Sequence, residues 1–162
     1  MAKEAMVKRI LLTEVVALFL AASAAPQGGE APMATTTFKK LTPVLYVEKI
    51  EPCLEFWVER LGFEKTAEVP EGEALGFVIL QRDGVEVMLQ SYASLEKDVP
   101  AFAGAARRST NFLFVEVTDF EEVARRLEGI EVALPRRKTF YGATETGVRV
   151  PGGHVVVFAA FE

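Results

Sequence analysis

Residues 42–63 read TPVLYVEKIEPCLEFWVERLGF, and this stretch decides the fold. Its first part, Leu41–Glu48, alternates as a β-strand does and places Leu45 and Val47 on one face. Apolar residues then recur at helical spacing, at Ile50, Cys53, Leu54, Trp57, Val58 and Leu61. Gly62 is a typical helix stop, and Phe63 opens a second strand. The stretch therefore predicts a strand, a helix packed on the Leu45 and Val47 face, and a following strand.

The chain downstream of this stretch completes a first unit of four strands and one helix. Strands are predicted at Phe63–Val69, Ala74–Arg82 and Val85–Gln90, with a turn over residues 70–73 and a hairpin at Asp83-Gly84. Residues 91–108 break the alternation and are rich in alanine, so they predict a connecting helix.

A second copy of the unit follows the connecting helix. Leu113-Phe114-Val115-Glu116 matches Leu45-Tyr46-Val47-Glu48, and Gly153 precedes the last strand as Gly84 precedes the fourth. The predicted elements are a strand at Asn111–Val117, a capped helix over Phe120 to Leu127, a strand at Ile130–Leu134, a basic aromatic loop at Pro135–Gly142, and strands at Thr144–Val150 and His154–Phe161. The fold class is therefore α+β, with two βαβββ modules, 41–90 and 109–162, and a cleft between them.

The composition limits the kinds of site that this chain can build. A formal net charge of -5 disfavours nucleic acid as a partner and suits cationic small molecules. One cysteine excludes an internal disulfide, and a single histidine leaves little for a histidine-based metal centre. We therefore expect a small-molecule ligand.

The first forty residues have the composition of a leader and a spacer. Lys3, Lys8 and Arg9 precede an apolar run that ends in small residues, which predicts a signal peptide at 1–25 and an exported protein. The alternative is a start at Met33 and a cytoplasmic protein. Residues 26–40 are predicted to be a flexible linker. The run is short and contains Glu14, so no stable membrane anchor is expected.

Several short motifs in the two modules resemble one known family. They are Ile50-Glu51, Phe56-Trp57, Leu61-Gly62-Phe63, Tyr141-Gly142 with Glu145, and Val150-Pro151-Gly152-Gly153-His154. In this order and spacing they resemble the vicinal oxygen chelate superfamily of glyoxalases, bleomycin-resistance proteins and extradiol dioxygenases. The resemblance implies paired βαβββ modules around a cup-shaped cleft, and a homodimer.

The enzymes of that superfamily hold a divalent metal ion at four strand positions. Carried over residue by residue, these positions are Thr42, Met88, Phe112 and Val157. None of them offers a carboxylate or an imidazole, and a shift of one residue produces no metal set either. The resemblance is thus nearest to the metal-free bleomycin-resistance branch, and we expect no metal, no cofactor and no catalytic residue.

The cleft lining follows from strand alternation and from the repeat. The expected ligand-binding residues are Thr42, Val44, Tyr46, Glu86, Met88, Gln90, Phe112, Phe114, Glu116, Tyr141 and Glu145. A wall of aromatic side chains with a few carboxylates suits an aromatic ligand that carries a cation. The competing interpretation is that these aromatic residues only fill the cup.

Three classes of function remain open at this level. The first is a metal-free protein that binds and sequesters a small molecule. The second is a glyoxalase- or dioxygenase-like enzyme, that is a lyase, isomerase or oxidoreductase, with a non-standard or absent metal site. Without a metal it would use Tyr46 or an acid and base pair, Glu86 with Glu116 or Tyr141 with Glu145. The third is an inert dimeric interaction module. His154 is expected to stabilise the turn before it, Cys53 to be a core residue, and Arg136-Arg137-Lys138 to be a solvated loop or a lid.

Overall fold

The first module contains four strands and one helix, in the order that the sequence predicts. The computed structural model describes residue 37 and residues 39–161. The elements are β1 Val44–Val47, α1, β2 Glu64–Glu71, β3 Ala74–Arg82 and β4 Val85–Ser91. Helix α1 is α-helical over Glu51–Leu54 and π-helical over Glu55–Arg60. The predicted signal peptide, Met33 and most of the predicted linker lie outside the described residues.

The second module repeats this order after two short connecting helices. The elements are α2 Tyr92–Asp98, α3 Pro100–Ala106, β5 Phe112–Glu116, α4 Phe120–Arg126, β6 Val132–Lys138, β7 Ala143–Arg149 and β8 Val155–Phe161. Sheet 1 has the strand order β1-β4-β3-β2, and sheet 2 has the order β5-β8-β7-β6. In each sheet the first strand of the module pairs in parallel with the last, and the other pairs are antiparallel. The α+β class and the two βαβββ modules are confirmed.

The two sheets and the helices share one apolar core. Leu45 and Val47 are buried with α1, as predicted, and Val148, Val156 and Phe158 from sheet 2 belong to the same cluster. Trp57 belongs to this cluster, with edge-to-face ring contacts to Phe56 at 5.3 Å and to Phe63 at 5.1 Å. Helical spacing thus places the apolar stripe of α1 where it joins both modules.

The C-terminal ends of α1 and α4 hold each other by reciprocal hydrogen bonds. Arg60 Nη1 donates to the carbonyls of Arg126, at 3.2 Å, and Glu128, at 2.9 Å, while Arg126 Nη1 donates to the carbonyl of Arg60 at 2.9 Å. The last carbonyls of a helix have no partner within the helix, and here each helix receives one from the other module. The sequence repeat is therefore matched by a two-fold arrangement of the helix ends.

Three differences from the predicted elements involve a proline. The predicted connecting helix is two helices, because Val99 precedes Pro100 and leaves the helical conformation at φ -135° and ψ 74°. The predicted turn at Pro70 and the predicted loop from Pro135 instead belong to strands β2 and β6. Both strands lie at a sheet edge and carry register shifts beside the proline, so its missing N–H disrupts no ladder.

Residues Arg136, Arg137 and Lys138 are consequently not a solvated loop. They form the end of β6, where Arg137 is opposite Glu145 of β7. Within residues 39–161, no helix is both long enough and apolar enough to cross a membrane.

Candidate functional site

Each sheet has one face that turns away from the shared core. In sheet 1, alternation puts Tyr46, Met88, Gln90 and their strand partners Phe77 and Ile79 on this side. We call it the open face of sheet 1. Val44 and Glu86 continue the same face, and Thr42 joins it through a hydrogen bond to Glu86. These are the module 1 residues that the sequence assigns to the cleft lining.

The corresponding side of sheet 2 is richer in exposed aromatic residues. Phe112 is 74% exposed and Phe114 is 54% exposed, and they share this side with Glu116, Phe161 and Glu145 through the strand register. We call it the aromatic face. Tyr141 extends it, since its ring lies 5.2 Å from that of Phe140 and 6.2 Å from that of Phe161. These are the module 2 residues of the predicted lining.

The structure does not bring the two groups of residues into one cavity of a single chain. The space between the modules is occupied by the apolar core, and the predicted residues lie on the sheet faces opposite to it. A recess of about 700 Å³ contains Glu86, and a cavity of about 310 Å³ contains Glu116. Neither of the two contains Tyr46, Met88, Phe112 or Phe114. The two groups therefore lie on separate sheets of the described chain, and their role in lining a binding cleft stays a prediction.

Glu86 is a carboxylate at the edge of the open face, with three hydrogen-bond or ion-pair donors around it. Thr42 Oγ1 donates to it at 2.8 Å, Lys40 Nζ lies 2.5 Å from it, and Gln81 Nε2 also donates to it. The bonds from Lys40, then Gln81 and Thr42, lower the pKa of Glu86 to about 2. Three donors thus hold this carboxylate in place as an anion.

Glu145 is the corresponding carboxylate on the aromatic face, and it is only 2% exposed. Tyr141 donates its hydroxyl to Glu145 Oε2 at 2.7 Å, and Arg137 Nε donates to Oε1 at 2.7 Å. The bond from Tyr141, assisted by Arg137, lowers the pKa of Glu145 against the effect of burial. The same bond raises the pKa of Tyr141. Both carboxylate oxygens are therefore engaged, and the tyrosine keeps its proton.

These directions do not favour the predicted acid and base pairs. A general base near neutral pH needs a pKa close to 7 and a free lone pair, whereas Glu86 and Glu145 are both stabilised as anions. The structure places Glu86 on sheet 1 and Glu116 on sheet 2, with no hydrogen bond between them. Tyr141 and Glu145 do meet, as the sequence suggests, but as a fixed pair that shapes and charges a surface.

The four positions of the superfamily's metal site do not fit a divalent ion. The Thr42 hydroxyl is already donated to Glu86, Met88 offers a thioether, and Phe112 and Val157 offer only hydrocarbon. Among residues 37 and 39–161 there is also no group of three or more histidine, cysteine, aspartate or glutamate side chains arranged to hold a metal. No step of a reaction is therefore assigned to a metal here.

His154 joins the modules. It is 1% exposed, and its Nε2 donates to the carbonyl of Tyr46 at 3.0 Å while its Nδ1 accepts from the N–H of Asn111 at 3.1 Å. A carbonyl can only accept and an amide N–H can only donate, so these partners select the neutral imidazole with the proton on Nε2. Burial lowers the pKa of His154. The ring connects β1 of the first module to the start of β5.

Cys53 is a buried thiol, and we expect it to be unreactive in the folded protein. Burial raises the pKa of its thiol to about 11, and its Sγ lies 3.4 Å from the carbonyl of Pro151. Because only the thiolate is nucleophilic, Ellman's reagent at pH 7.5 should label the native protein at least about 100-fold more slowly than the protein in denaturant. Equal labelling rates would show that the thiol is accessible and ionised.

Sequence reasoning missed three residues of these faces, Lys40, Gln81 and Arg137. Gln81 follows from a signal that was present, because Asp83-Gly84 is a two-residue turn and the hairpin pairs Gln81 with Glu86. Arg137 is opposite Glu145 only because β6 continues past Pro135 through a shifted register. Lys40 precedes the first strand and carries no periodic signal.

Comparison with known proteins agrees with this architecture. A family model described as the Glyoxalase/Bleomycin resistance protein/Dioxygenase superfamily matches residues 39–158. No curated protein sequence matches the chain.

Solved structures of low sequence identity share the fold. A glyoxalase/bleomycin resistance protein/dioxygenase from Nocardioides is 22% identical, with a TM-score of 0.61 over 80% of this chain and 87% of its own. Lactoylglutathione lyase from Agrobacterium tumefaciens is 16% identical, with a TM-score of 0.62 over 78% of this chain and 100% of its own. The bleomycin-binding protein from Streptomyces verticillus, solved with copper(II)-bleomycin, is 22% identical, with a TM-score of 0.55 over 79% of this chain and 100% of its own.

Proposed function

Because the chain belongs to the glyoxalase/bleomycin resistance protein/dioxygenase superfamily, we propose that it is a metal-free protein that binds an aromatic small molecule carrying a positive charge. The ligand lies on the aromatic face and is sequestered there. The observation that carries this proposal is the exposure of Phe112 and Phe114 beside Glu116, a carboxylate with no ion-pair partner among the described residues. Large exposed aromatic patches in soluble proteins commonly mark interaction sites.

The chemistry of this face supports an aromatic cation. Ring faces of phenylalanine attract both flat apolar groups and cations, and an unpaired carboxylate at the end of β5 adds a favourable charge. On the same face, the small residues Gly147, Ala143 and Ala159 lie between the larger side chains and leave a shallow depression. A planar molecule fits over this depression, between the aromatic side chains.

A second copy of the chain completes the site in this proposal. The open face of sheet 1 carries Tyr46, Phe77, Ile79 and Met88, which are half-buried, and it lies on a different sheet from the aromatic face. In a homodimer with two-fold symmetry, the open face of one protomer covers the aromatic face of its partner. This arrangement restores a cleft lined by both predicted groups, which one chain does not form. The bleomycin-binding protein from Streptomyces verticillus supports sequestration as the use of this fold.

The binding proposal is tested with ligands that differ only in charge. 2-Naphthylmethylammonium should stabilise the protein in thermal unfolding, by about 2.7 kcal/mol at a hundredfold its dissociation constant, and neutral 2-naphthylmethanol should bind at least about tenfold more weakly. Bleomycin is a third probe. Phe112→Ala and Glu116→Ala should each lower the affinity for the ammonium about tenfold, because each removes one of the two attractions.

The matched control is Phe102→Ala, which removes an exposed phenylalanine from α3. Its affinity should equal that of the unaltered protein. If none of the three compounds stabilises the protein, the chain is better explained as an inert dimeric module. If purified protein carries a stoichiometric divalent metal, the metal-free assignment is wrong.

A further inference from the structure

A cavity on the core side of the modules shares only Glu116 with the two faces described above. It has a volume of about 310 Å³ and lies where the β3–β4 hairpin approaches α4 and the end of β5. Its apolar wall includes Leu61, Phe63, Val115, Val117, Val123 and Phe158. Ligand pockets commonly begin at about 300 Å³, so this cavity is large enough for a small apolar body. It opens beside Arg82 and Arg126, which also line the neighbouring recess of about 700 Å³.

The two arginines at this opening both lie next to Gly62. A Cβ atom built on Gly62 would lie 3.2 Å from Arg82 Nη1 and 3.9 Å from Arg126 Nη1. Both guanidinium groups are fixed at the C-terminal end of α1, because Arg82 Nη1 donates to the carbonyl of Leu61 and Arg126 Nη1 to the carbonyl of Arg60. Their Nε atoms bind carboxylates, Asp83 Oδ2 at 3.1 Å and Glu122 Oε1 at 2.7 Å. Two positive groups are thereby held side by side.

Each guanidinium still has a donor group available. Within residues 39–161 no acceptor bonds to Nη2 of Arg82 or of Arg126, and the two side chains are 40% and 36% exposed. A carboxylate accepts from two such groups with good geometry, because guanidinium and carboxylate are both planar.

The far end of the cavity carries carboxylates that form no ion pair with an arginine within residues 39–161, whereas at the near end Asp83 and Glu122 are each paired with an arginine. Glu116 and Asp119 line the far end near the N-terminus of α4, whereas Arg126 is the last residue of that helix. Seven residues of α-helix separate Asp119 from Arg126, which is about 10 Å. A molecule with one carboxylate at the arginines and an apolar body in the cavity is favoured. A second carboxylate at the far end would meet Glu116 and Asp119 and be repelled.

We propose that this cavity is a binding site for an apolar monocarboxylate, with its carboxylate on Arg82 and Arg126 and its apolar body against Val117, Val123 and Phe158. The site adjoins the aromatic face through Glu116, but its apolar body lies on the other side of β5, against Val115 and Val117. It does not depend on the function proposed above, because it takes an anion where the aromatic face takes a cation.

The test compares three probes with the same carbon chain by titration calorimetry. Octanoate should bind at least about tenfold more tightly than neutral octanamide, and at least about tenfold more tightly than octanedioate. Arg82→Gln and Arg126→Gln should each lower the octanoate affinity about tenfold and leave that of octanamide unchanged. Arg125→Gln is the matched control, since Arg125 lies on the same helix and outside the cavity, and its affinity should not change.

Two further measurements separate binding from folding and from the aromatic face. Val117→Trp fills the cavity, keeps both arginines, and should abolish octanoate binding while 2-naphthylmethylammonium binds as before. Amide resonances of Leu61, Val117 and Val123 should shift with octanoate, and those of Phe112 should not. Equal affinity for octanoate and octanamide, insensitivity to both arginine substitutions, or shifts confined to the aromatic face would each overturn the proposal.

Discussion

Gly152→Ala should lower the free energy of unfolding by about 3 to 4 kcal/mol, which is the largest effect that we expect from adding one methyl group. Gly152 has φ +96°, and an added Cβ would lie 2.5 Å from Val47 Cγ1 and 3.3 Å from Val47 Cβ. Val47 is in the shared core and 1% exposed, so it has no room to move. The alanine must therefore strain the turn and also push β1 away from the turn before β8. Urea unfolding followed by circular dichroism measures the loss.

The neighbouring glycine is a matched control for this substitution. Gly153 has φ +84°, but an added Cβ there would meet no atom within 4 Å. Gly153→Ala should therefore cost only the backbone strain, about 1 to 2 kcal/mol. The difference between the two variants measures the contact between the modules. Equal losses would mean that the approach of Gly152 to Val47 contributes nothing to stability.

His154→Ala should lower the free energy of unfolding by about 3 to 5 kcal/mol. It leaves the carbonyl of Tyr46 and the N–H of Asn111 without their present partner, at about 1 to 3 kcal/mol each, and it opens a space in a buried region. His154→Asn keeps one donor and one acceptor and should lose less. If the two variants lose equally, the hydrogen bonds of the ring are not what stabilises the junction.

The same histidine should make stability fall on acidification. Burial lowers the pKa of His154 below its ordinary value of 6.5, so the unfolded chain takes up the proton more readily than the folded protein. The stability that the neutral ring provides is therefore complete above pH 6.5 and is lost as the pH falls toward the folded pKa. Glu86 and Glu145, whose pKa values are lowered from 4.5, contribute only at still lower pH.

Unfolding titrations in urea at a series of pH values measure this dependence. His154→Asn should remove the part of it that begins near pH 6.5 and keep the part below pH 4.5. A pH dependence near 6.5 that survives in the asparagine variant would assign it to another group.

The aromatic residues of sheet 2 show what strand alternation can predict and what it cannot. The sequence predicts Phe112, Phe114 and Glu116 on one face of β5, and the structure has them there with high exposure, because the side-chain period of a strand is two. The sequence also predicts that Tyr46 and Met88 share their cleft. The structure places them on another sheet. Strand alternation determines which residues share a face, but not which other surface that face packs against.

The sequence by itself determined the two βαβββ modules, the shared face of α1 and the absence of metal-binding side chains at the superfamily's four positions. These depend on residue identity and on local spacing, which covalent geometry sets at 3.6 residues per helical turn and two per strand. Only the tertiary structure decided that Arg137 meets Glu145, that His154 joins β1 to β5, and that Arg82 and Arg126 both lie next to Gly62. The contacts of His154 and of the two arginines join residues far apart in the chain and in different modules, so module packing sets them. The contact of Arg137 with Glu145 lies within one hairpin, and the register shift beside Pro135 sets it.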